Sequence, residues 1–245
     1  MIYFSKINIE NMILTKQEKQ VVSKKRVADH GEVYTATREV NAMLDLVKQE
    51  TERIDSRFLE PACGTGNFVA EVLDRKLRVV ETRYGTSQLE YERYSIIAVS
   101  SIYGIDIRED NVLACRKRLL DIFNERYDRL CKKKVKDEVK KAIEYILERN
   151  IVWGDALTLK TVDEKPKPIV FSEWSLVKGS MIKRRDFAFH ALLPNVQIKD
   201  MPLFSNERIR DLPEASDLGE DVFIPMPVKE FPVMHFLRIV NVDQQ

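Results

Sequence analysis

A glycine turn preceded by an acid is the feature of this sequence with the most chemical content. The run Leu59-Glu60-Pro61-Ala62-Cys63-Gly64-Thr65-Gly66-Asn67-Phe68 follows a short apolar segment and precedes one with helical spacing. Gly64 and Gly66 allow backbone torsions and a close approach that a side chain would block, so a ligand can lie against the main chain. Glu60 adds a carboxylate, which suits a ligand that carries an amine or a positive charge. The turn therefore predicts a binding site at the carboxyl edge of a sheet.

Two common phosphate-binding patterns are absent from this turn. No Lys-Ser or Lys-Thr pair follows the glycines, so the turn is not a P-loop. Val69 stands where the dinucleotide fingerprint requires its third glycine. These differences argue against a nucleoside triphosphate or NAD as the ligand.

Two further acids follow apolar runs later in the chain. Asp106 lies near the end of residues 102–107, where a carboxylate can accept both hydroxyls of a ribose. Asp155 follows Trp153-Gly154 and could accept from the exocyclic amine of an adenine ring. Each acid alone is more often a cap or a solvated strand end. Three acids at successive strand ends beside a glycine turn predict a shared rim that binds a nucleoside.

The elements that position these residues alternate between strands and helices. The spacing predicts a helix from Glu39, and the later segments are helices over 68–77, 88–101, 112–123 and 142–147 and strands over 57–60, 102–107, 150–155 and 168–171. This order predicts an α/β fold with a doubly wound, mostly parallel sheet and helices on both faces. After Ser172 the pattern predicts strands over 181–189 and 233–240 and no helix.

Composition bounds the class of protein. The 245 residues include 44% hydrophobic and 32% charged residues, which fits one folded domain with at most an added subdomain. We expect an N-terminal arm over 1–28, a main domain over 29–175 and an irregular C-terminal extension over 176–245 that completes the sheet or contacts a partner. With 40 basic and 39 acidic residues, the net charge of +1 excludes a histone-like binder, so contact with nucleic acid must come from a local patch.

The cysteines and the hydropathy of the sequence indicate the cellular compartment in which the protein is found. Cys63, Cys115 and Cys131 match neither a zinc clip nor a disulfide framework, and the three histidines are too scattered to predict a metal site. No stretch approaches the roughly 20 apolar residues of a membrane span, and the first 20 residues are too polar for a signal peptide. We therefore expect a reduced, cytoplasmic protein that is neither secreted nor inserted in a membrane.

Four segments in order resemble the cofactor motifs of adenine-N6 DNA methyltransferases, and most of all the modification subunits of restriction systems. The segments are Asp29-His30-Gly31-Glu32-Val33-Tyr34-Thr35, Phe58 to Phe68, Tyr103-Gly104-Ile105-Asp106-Ile107 and Gly154-Asp155-Ala156-Leu157. The resemblance implies a Rossmann-like domain that uses S-adenosylmethionine and acts on DNA. It also implies a specificity or restriction subunit as a partner, because the large target-recognition domain of the family has no counterpart here.

The resemblance also assigns contacts to individual residues. From the methionine end of the cofactor to its adenine end, the implied contacts are Gly31, Tyr34, Thr35, Glu60, Ala62, Gly64, Gly66, Asp106, Ile107, Asp155, Ala156 and Leu157. One small departure is Thr35-Ala36, where the family usually has Thr-Pro.

The larger departure concerns catalysis. The family uses an [Asn/Asp/Ser]-Pro-Pro-aromatic loop that accepts from the target amine and stacks on a flipped base. This chain has no Pro-Pro pair, and Ser172-Glu173-Trp174 stands at the corresponding place. One hypothesis is an altered catalytic loop that uses Ser172 and Trp174. The alternative is an aromatic residue packed under the sheet edge.

A basic cluster follows this segment. Lys183, Arg184 and Arg185 precede Phe187 and Phe189, a pattern that could grip phosphates and stack a base. It is equally typical of a strand with a charged outer edge.

Three functions remain open at this level. The first is a DNA methyltransferase, adenine-N6 by resemblance. The second is a regulatory or assembly subunit that keeps the cofactor pocket without catalysis, and the third is a methyltransferase with another acceptor. Cytosine-C5 chemistry is disfavoured because no cysteine follows a proline.

Overall fold

The computed structural model of the protein describes residues 35–193, 214–215, 221–222 and 225–244. Gly31, Tyr34 and the predicted N-terminal arm lie outside these residues. The α-helices are α1 Thr37–Leu46, α2 Lys48–Thr51, α3 Asn67–Tyr84, α4 Gln88–Ser100, α5 Glu109–Cys131 and α6 Asp137–Asn150. The strands are β1 Phe58–Glu60, β2 Ile102–Asp106, β3 Ile151–Asp155, β4 Lys160–Thr161, β5 Val170–Lys178, β6 Met181–Ala188, β7 Glu214–Ala215, β8 Asp221–Val222, β9 Lys229–Glu230 and β10 Met234–His235. In the described ranges, 3-10 helices cover Lys132–Lys134, Phe189–Leu192 and Phe236–Gln244.

The main sheet has the strand order β1-β2-β3-β4. The first three strands are parallel, and β4 joins β3 antiparallel. Helices α3 and α4 connect β1 to β2, and α5 and α6 connect β2 to β3. The predicted α/β fold with a mostly parallel sheet is therefore confirmed, and the carboxyl ends of β1, β2 and β3 meet at one edge.

The two faces of this sheet are covered differently. Ile102 and Ile151 belong to a core cluster that includes buried residues of α1 and α3 to α6. Tyr103 and Ile105 belong to a second cluster with Phe171. Because alternate strand residues point to opposite faces, these clusters lie on opposite sides of β2. Among the described residues no α-helix contributes to the second cluster, so the doubly wound arrangement is not confirmed.

The segment over 168–171 forms a different strand from the one predicted. Instead of a fourth parallel strand, it leads into the nine-residue β5, which pairs antiparallel with β6. These strands form a separate sheet of order β10-β6-β5, with β9 on β6. A two-residue turn with Gly179 at φ 58° permits this hairpin. Phe171 of β5 packs in the second cluster, together with Ile169 before β5 and Phe189 after β6. The predicted boundary at 175/176 falls inside β5, and the division into domains stays a prediction.

The C-terminal region gave one confirmed and one wrong prediction. The strand predicted over 181–189 is present as β6. The prediction of a strand over 233–240 holds only for β10, Met234–His235, and is wrong for the residues after it, where a 3-10 helix begins at Phe236. Phe236 and Ile239 are both buried in the first core cluster, and a spacing of three places them on one face of such a helix. In the described part of the chain, no helix combines the length and apolarity that crossing a bilayer requires.

Candidate functional site

A cleft of ≈ 630 Å³ lies at the carboxyl ends of the three parallel strands. Its walls come from the start of the described chain, from α1, from the glycine turn and from the segments after β2 and β3. The lining residues are Thr35, Met43, Glu60, Pro61, Ala62, Cys63, Gly64, Asn67, Phe68, Asp106, Ile107, Arg108, Asn111, Gly154, Asp155, Ala156 and Leu157. Segments far apart in sequence thus meet at one edge, as the topology of a parallel sheet requires.

Asp106 is the best anchored acid of the cleft. Its Oδ2 accepts from the Gly64 N–H at 2.9 Å, and its Oδ1 accepts from the Arg108 N–H at 2.9 Å and from Asn111 Nδ2 at 3.1 Å. A carboxylate offers about four acceptor positions, so one position stays open, on Oδ2. The carboxylate therefore keeps one acceptor position for a ligand, and its predicted contact with a ribose stays a prediction.

The glycine turn has the backbone that was expected of it. Gly64 has φ 52°, and Gly66 has φ 87° and immediately precedes α3. A Cβ on Gly66 would lie 2.7 Å from Cys115 Sγ of α5, so the turn and this helix approach too closely for a side chain. The Cys63 N–H donates to Ile105 O at 2.9 Å, which fastens the turn to β2. Gly64 lines the cleft, whereas Gly66 shapes the turn behind it.

Glu60 ends β1 at the wall of the cleft. Burial raises the pKa of this carboxyl, and a 3.4 Å hydrogen bond from the Ala62 N–H opposes that rise. A half-buried carboxylate with one weak donor keeps acceptor capacity for a ligand. Its charge also makes this end of the cleft favourable for a cation.

Asp155 ends β3 and organises the chain after it. Its Oδ1 accepts from the Leu157 N–H at 2.9 Å and its Oδ2 accepts from Thr158 Oγ1 at 3.0 Å. This is an Asx turn, the local role that such an acid has most often. Each oxygen of the Asp155 carboxylate still has a second lone pair. Separately, Trp153 Nε1 donates to Ile107 O at 3.0 Å, and this bond links the ends of β2 and β3.

The matches to known proteins cover this same region. The family model described as MmeI, DNA-methyltransferase domain, matches residues 34–169, more than half of the chain. The chain belongs to this DNA-methyltransferase domain family. No match was found among curated proteins or among solved structures.

The range of the family match separates the cleft from the later segments. Every residue that lines the cleft lies within residues 34–169, as do β1 to β4. The match ends before β5, so Ser172, Trp174 and the basic cluster of β6 lie beyond it. Membership in a restriction-modification methyltransferase family therefore rests on the cleft-bearing part of the chain.

Most of the residues implied as cofactor contacts meet at the cleft. Those that line it are Thr35, Glu60, Ala62, Gly64, Asp106, Ile107, Asp155, Ala156 and Leu157. Thr35 is held there by its carbonyl, which accepts from Asn67 Nδ2 at 3.2 Å. Gly31 and Tyr34 lie outside the described residues.

Several lining residues were not singled out from the sequence. Met43 projects from α1, Asn67 and Phe68 begin α3, and Arg108 and Asn111 surround the start of α5. Helices that follow parallel strands begin at the carboxyl edge of the sheet, so polar residues of their first turns were the available signal.

The hypothesis of a catalytic loop at Ser172 and Trp174 is contradicted by the packing of β5. Ser172 is 2% exposed, and its hydroxyl donates to Asp186 Oδ1 at 2.7 Å. Trp174 is 6% exposed and packs edge-on against Tyr145 of α6, with ring centroids 6.0 Å apart. Neither residue lines the cleft. The arrangement corresponds to the alternative, an aromatic residue packed beneath the sheet.

The predicted basic cluster is divided by strand alternation. Arg184 points inward, where it donates to Asp186 Oδ2 at 2.7 Å, and its guanidinium carbon lies 4.1 Å from the centre of the Phe231 ring. Its role in DNA binding is thus corrected to a buried structural one. Lys183 pairs with Glu230 at 2.6 Å and Arg185 with Glu173 at 2.8 Å, both on the more exposed face.

Proposed function

We propose that this chain carries an S-adenosylmethionine-dependent DNA methyltransferase domain of a restriction-modification system, with adenine N6 as the acceptor. The observation that carries the proposal is the charge of the cleft. Among its described lining residues are three carboxylates, those of Glu60, Asp106 and Asp155, against the single guanidinium of Arg108, which itself lies 3.1 Å from Asp110. Such a cleft repels phosphates and favours a cationic nucleoside.

The residues present fit the parts of this cofactor. Glu60, beside the glycine turn, would hold the ammonium group or face the sulfonium charge. The open position on Asp106 Oδ2 would accept one ribose hydroxyl, and the free lone pairs of Asp155 would accept from the adenine amine. Ile107, which is 52% exposed, would cover one face of the adenine ring. Absence of a side chain at Gly64 would let the ligand approach the backbone.

Bound S-adenosylmethionine would supply an electrophilic methyl carbon to an amine. For this reaction the protein must orient the ligand, exclude water and accept hydrogen bonds from the amine, and no covalent nucleophile is required. The organised carboxylates and the fixed turn meet the first requirement. A specificity or restriction subunit as partner, and the doubly wound arrangement of the complete domain, are parts of the same proposal.

A second candidate function is a subunit that binds the cofactor without transferring the methyl group. The burial of Ser172 and Trp174 favours it, because the chain has no Pro-Pro pair and the described residues offer no replacement loop at the cleft. A methyltransferase that acts on a non-DNA acceptor uses the same pocket and is the third candidate.

Calorimetry tests the cofactor and a transfer assay tests the reaction. We expect heat on titration with S-adenosylmethionine and none with ATP. Asp106→Ala should weaken binding by about 1–3 kcal/mol, the cost of losing buried hydrogen bonds to a charged group. Absence of binding would refute the proposal.

Labelled methyl transfer to unmodified genomic DNA, with methylated adenine identified by nucleoside analysis, then separates the candidate functions. Label in adenine supports the first candidate. Cofactor binding with no transfer to DNA supports one of the other two.

A further inference from the structure

A second cavity of ≈ 400 Å³ lies on the face of the main sheet that holds the second core cluster. Leu59 and Tyr103 stand opposite each other in the register of β1 and β2, so their side chains point to the same face. The floor of the cavity consists of the rings of Tyr103, Phe171, Phe187 and Phe189, which are 3–8% exposed. The cavity shares no described lining residue with the cofactor cleft, and its volume lies within the range of small-ligand sites.

The register of the β5–β6 hairpin places an ion pair beside two of these rings. Phe171 stands opposite Phe187, and Glu173 stands opposite Arg185. Because strand side chains alternate between faces, these four side chains lie on one face of the hairpin. The opposite face includes Ser172, which is buried. The cavity therefore has charged groups at a fixed place next to an aromatic surface.

The interior of the cavity is apolar. Of its described lining residues, only Tyr103 and three charged residues have polar side chains, and the Tyr103 hydroxyl donates to Ser172 O at 3.2 Å. Tyr103 and Phe189 both meet the ring of Phe171 edge-on, with ring centroids 5.3 and 5.4 Å away. A polar group at this floor would lose its hydrogen bonds to water, whereas a further ring would gain aromatic contacts.

The three charged lining residues have one net positive charge. Arg57 and Arg185 both pair with Glu173, so two guanidinium groups share one carboxylate. The guanidinium carbon of Arg185 lies 5.8 Å from the centre of the Phe187 ring, which brings this charge next to the floor. Nε of Arg185 is shielded from solvent and has no hydrogen-bond partner among the described residues. A single carboxylate would neutralise the group, whereas a phosphate monoester, with a charge of about −1.5 to −2, would exceed it.

We propose that this cavity binds a small aromatic monocarboxylate. Its ring system would lie against the floor, and its carboxylate would contact the guanidinium groups of Arg57 and Arg185. Guanidinium groups suit the two oxygens of a carboxylate, and these two already hold the carboxylate of Glu173. This inference goes beyond the proposed function and does not depend on it.

Calorimetry tests the proposal with naphthoate as the probe. Naphthamide has the same rings without the charge, and acetate has the carboxylate without the rings. We expect naphthoate to bind about tenfold more tightly than either, because only naphthoate uses both parts of the site. Absence of naphthoate binding would overturn the proposal, as would naphthamide or acetate that binds as tightly.

A charge variant tests the arginines. Arg57 is 62% exposed, so Arg57→Gln removes a guanidinium with little effect on packing. We expect it to weaken naphthoate binding about tenfold and to leave naphthamide binding unchanged. Arg78→Gln is the matched control, because Arg78 is 64% exposed on α3, pairs with Asp74 and lines neither this cavity nor the cofactor cleft. Equal losses in the two variants would overturn the role of the arginines.

A blocking variant locates the site. Leu192 is 38% exposed and lines the cavity, so Leu192→Trp should weaken naphthoate binding about tenfold by filling the space. Leu89→Trp is its control, because Leu89 is 48% exposed on α4 and lines neither this cavity nor the cofactor cleft. Equal effects of the two variants would overturn the location. Circular dichroism of all four variants checks that they remain folded.

The same samples distinguish this proposal from the proposed function. Saturating S-adenosylmethionine should leave naphthoate affinity unchanged, because the two sites share no described lining residue. Displacement of naphthoate by S-adenosylmethionine would place the probe in the cofactor cleft and overturn the proposal. If the protein binds naphthoate but not S-adenosylmethionine, the proposed function fails and the second site stands. If it binds S-adenosylmethionine but not naphthoate, only the second site fails.

Discussion

The backbone N–H of Gly64 donates to Oδ2 of Asp106 across 2.9 Å. This bond joins the turn after β1 to the end of β2, so the acid fixes the glycine turn in addition to facing the cleft. Under the proposed function, ligand affinity and turn geometry are coupled at Asp106, and neighbouring residues that hold its carboxylate should affect both.

Asn111 provides a direct test of that coupling. Its Nδ2 donates to Asp106 Oδ1 at 3.1 Å, and the residue is 3% exposed. Asn111→Ala should weaken S-adenosylmethionine binding by about 1 kcal/mol, since it frees the carboxylate to rotate. Asn111→Asp should weaken it more, because two carboxylates would then adjoin. Calorimetry measures both variants, and affinities equal to that of the wild type would exclude the positioning role.

Gly66 should tolerate no side chain, for two separable reasons. In Gly66→Ala the alanine must adopt a left-handed backbone conformation, which costs about 1–2 kcal/mol of folding free energy. Its Cβ would in addition lie 2.7 Å from Cys115 Sγ. Gly179→Ala is a matched control, since φ is 58° and no atom lies within 4 Å of its added Cβ. Urea denaturation should show the greater loss for Gly66→Ala, and Cys115→Ala should reduce the difference. Equal losses would exclude the contact.

Cofactor affinity should depend on pH through Glu60. Burial raises the pKa of this carboxyl, and only its ionised form attracts a cation. Affinity for S-adenosylmethionine should therefore fall as the pH is lowered. The fall should begin at a higher pH than it would if Glu60 had the pKa of an ordinary glutamate. Glu60→Gln should bind more weakly and lose this dependence. A wild-type pH profile that Glu60→Gln reproduces would assign the titration to another group.

Lys76 should make stability depend on pH. It is fully buried in α3, where it donates to Ile54 O at 3.1 Å, to Ser101 Oγ at 2.7 Å and to Ser56 O. Burial lowers its pKa to about 7, against about 10.4 in the unfolded chain. Between these values the unfolded state binds more protons, so stability rises with pH by up to about 1.4 kcal/mol per unit.

Lys76→Met is the control for this effect. From pH 7 to 10 the wild type should become more stable relative to the variant. Below the folded-state pKa of Lys76 the difference in their unfolding free energies should not depend on pH. Urea denaturation at several pH values measures it. A constant difference across this window would mean that Lys76 stays protonated in the folded protein.

The buried ion pair of β6 should matter for stability and not for DNA. Arg184 and Asp186 are both 8% exposed, and the guanidinium of Arg184 donates two hydrogen bonds to the Asp186 carboxylate, at 2.7 and 2.8 Å. Asp186→Ala should cost about 3–5 kcal/mol, because it takes the carboxylate partner away from a buried guanidinium. Glu230→Ala, which breaks the exposed pair with Lys183, should have little effect. Equal losses in thermal unfolding would contradict the structural role of Arg184.

Local pattern was sufficient for the elements that form the cleft. The turn at Gly64 and Gly66, the acids that end β1, β2 and β3, and the alternation of strands with helices all follow from spacing within short windows. Carboxyl ends of parallel strands must share an edge, so the joint rim of Glu60, Asp106 and Asp155 was predictable without coordinates.

The roles of side chains after residue 171 required the tertiary structure. Ser172, Trp174 and Arg184 have the residue types of a catalytic or DNA-binding segment, yet all three are buried by the β5–β6 hairpin and α6. Which face of a strand is covered depends on elements distant in sequence, and period-two alternation alone does not identify the covered face.

The sequence by itself therefore determined the fold class, the family resemblance and most of the cleft, because these depend on local spacing and chain order. Only the tertiary structure decided that Asp106 keeps one open acceptor position, that Arg184 is a core residue and that Leu59 lines a second cavity. Hydrogen-bond capacity, burial and the walls of a cavity are properties of neighbours brought together by folding, and no window of the sequence contains them.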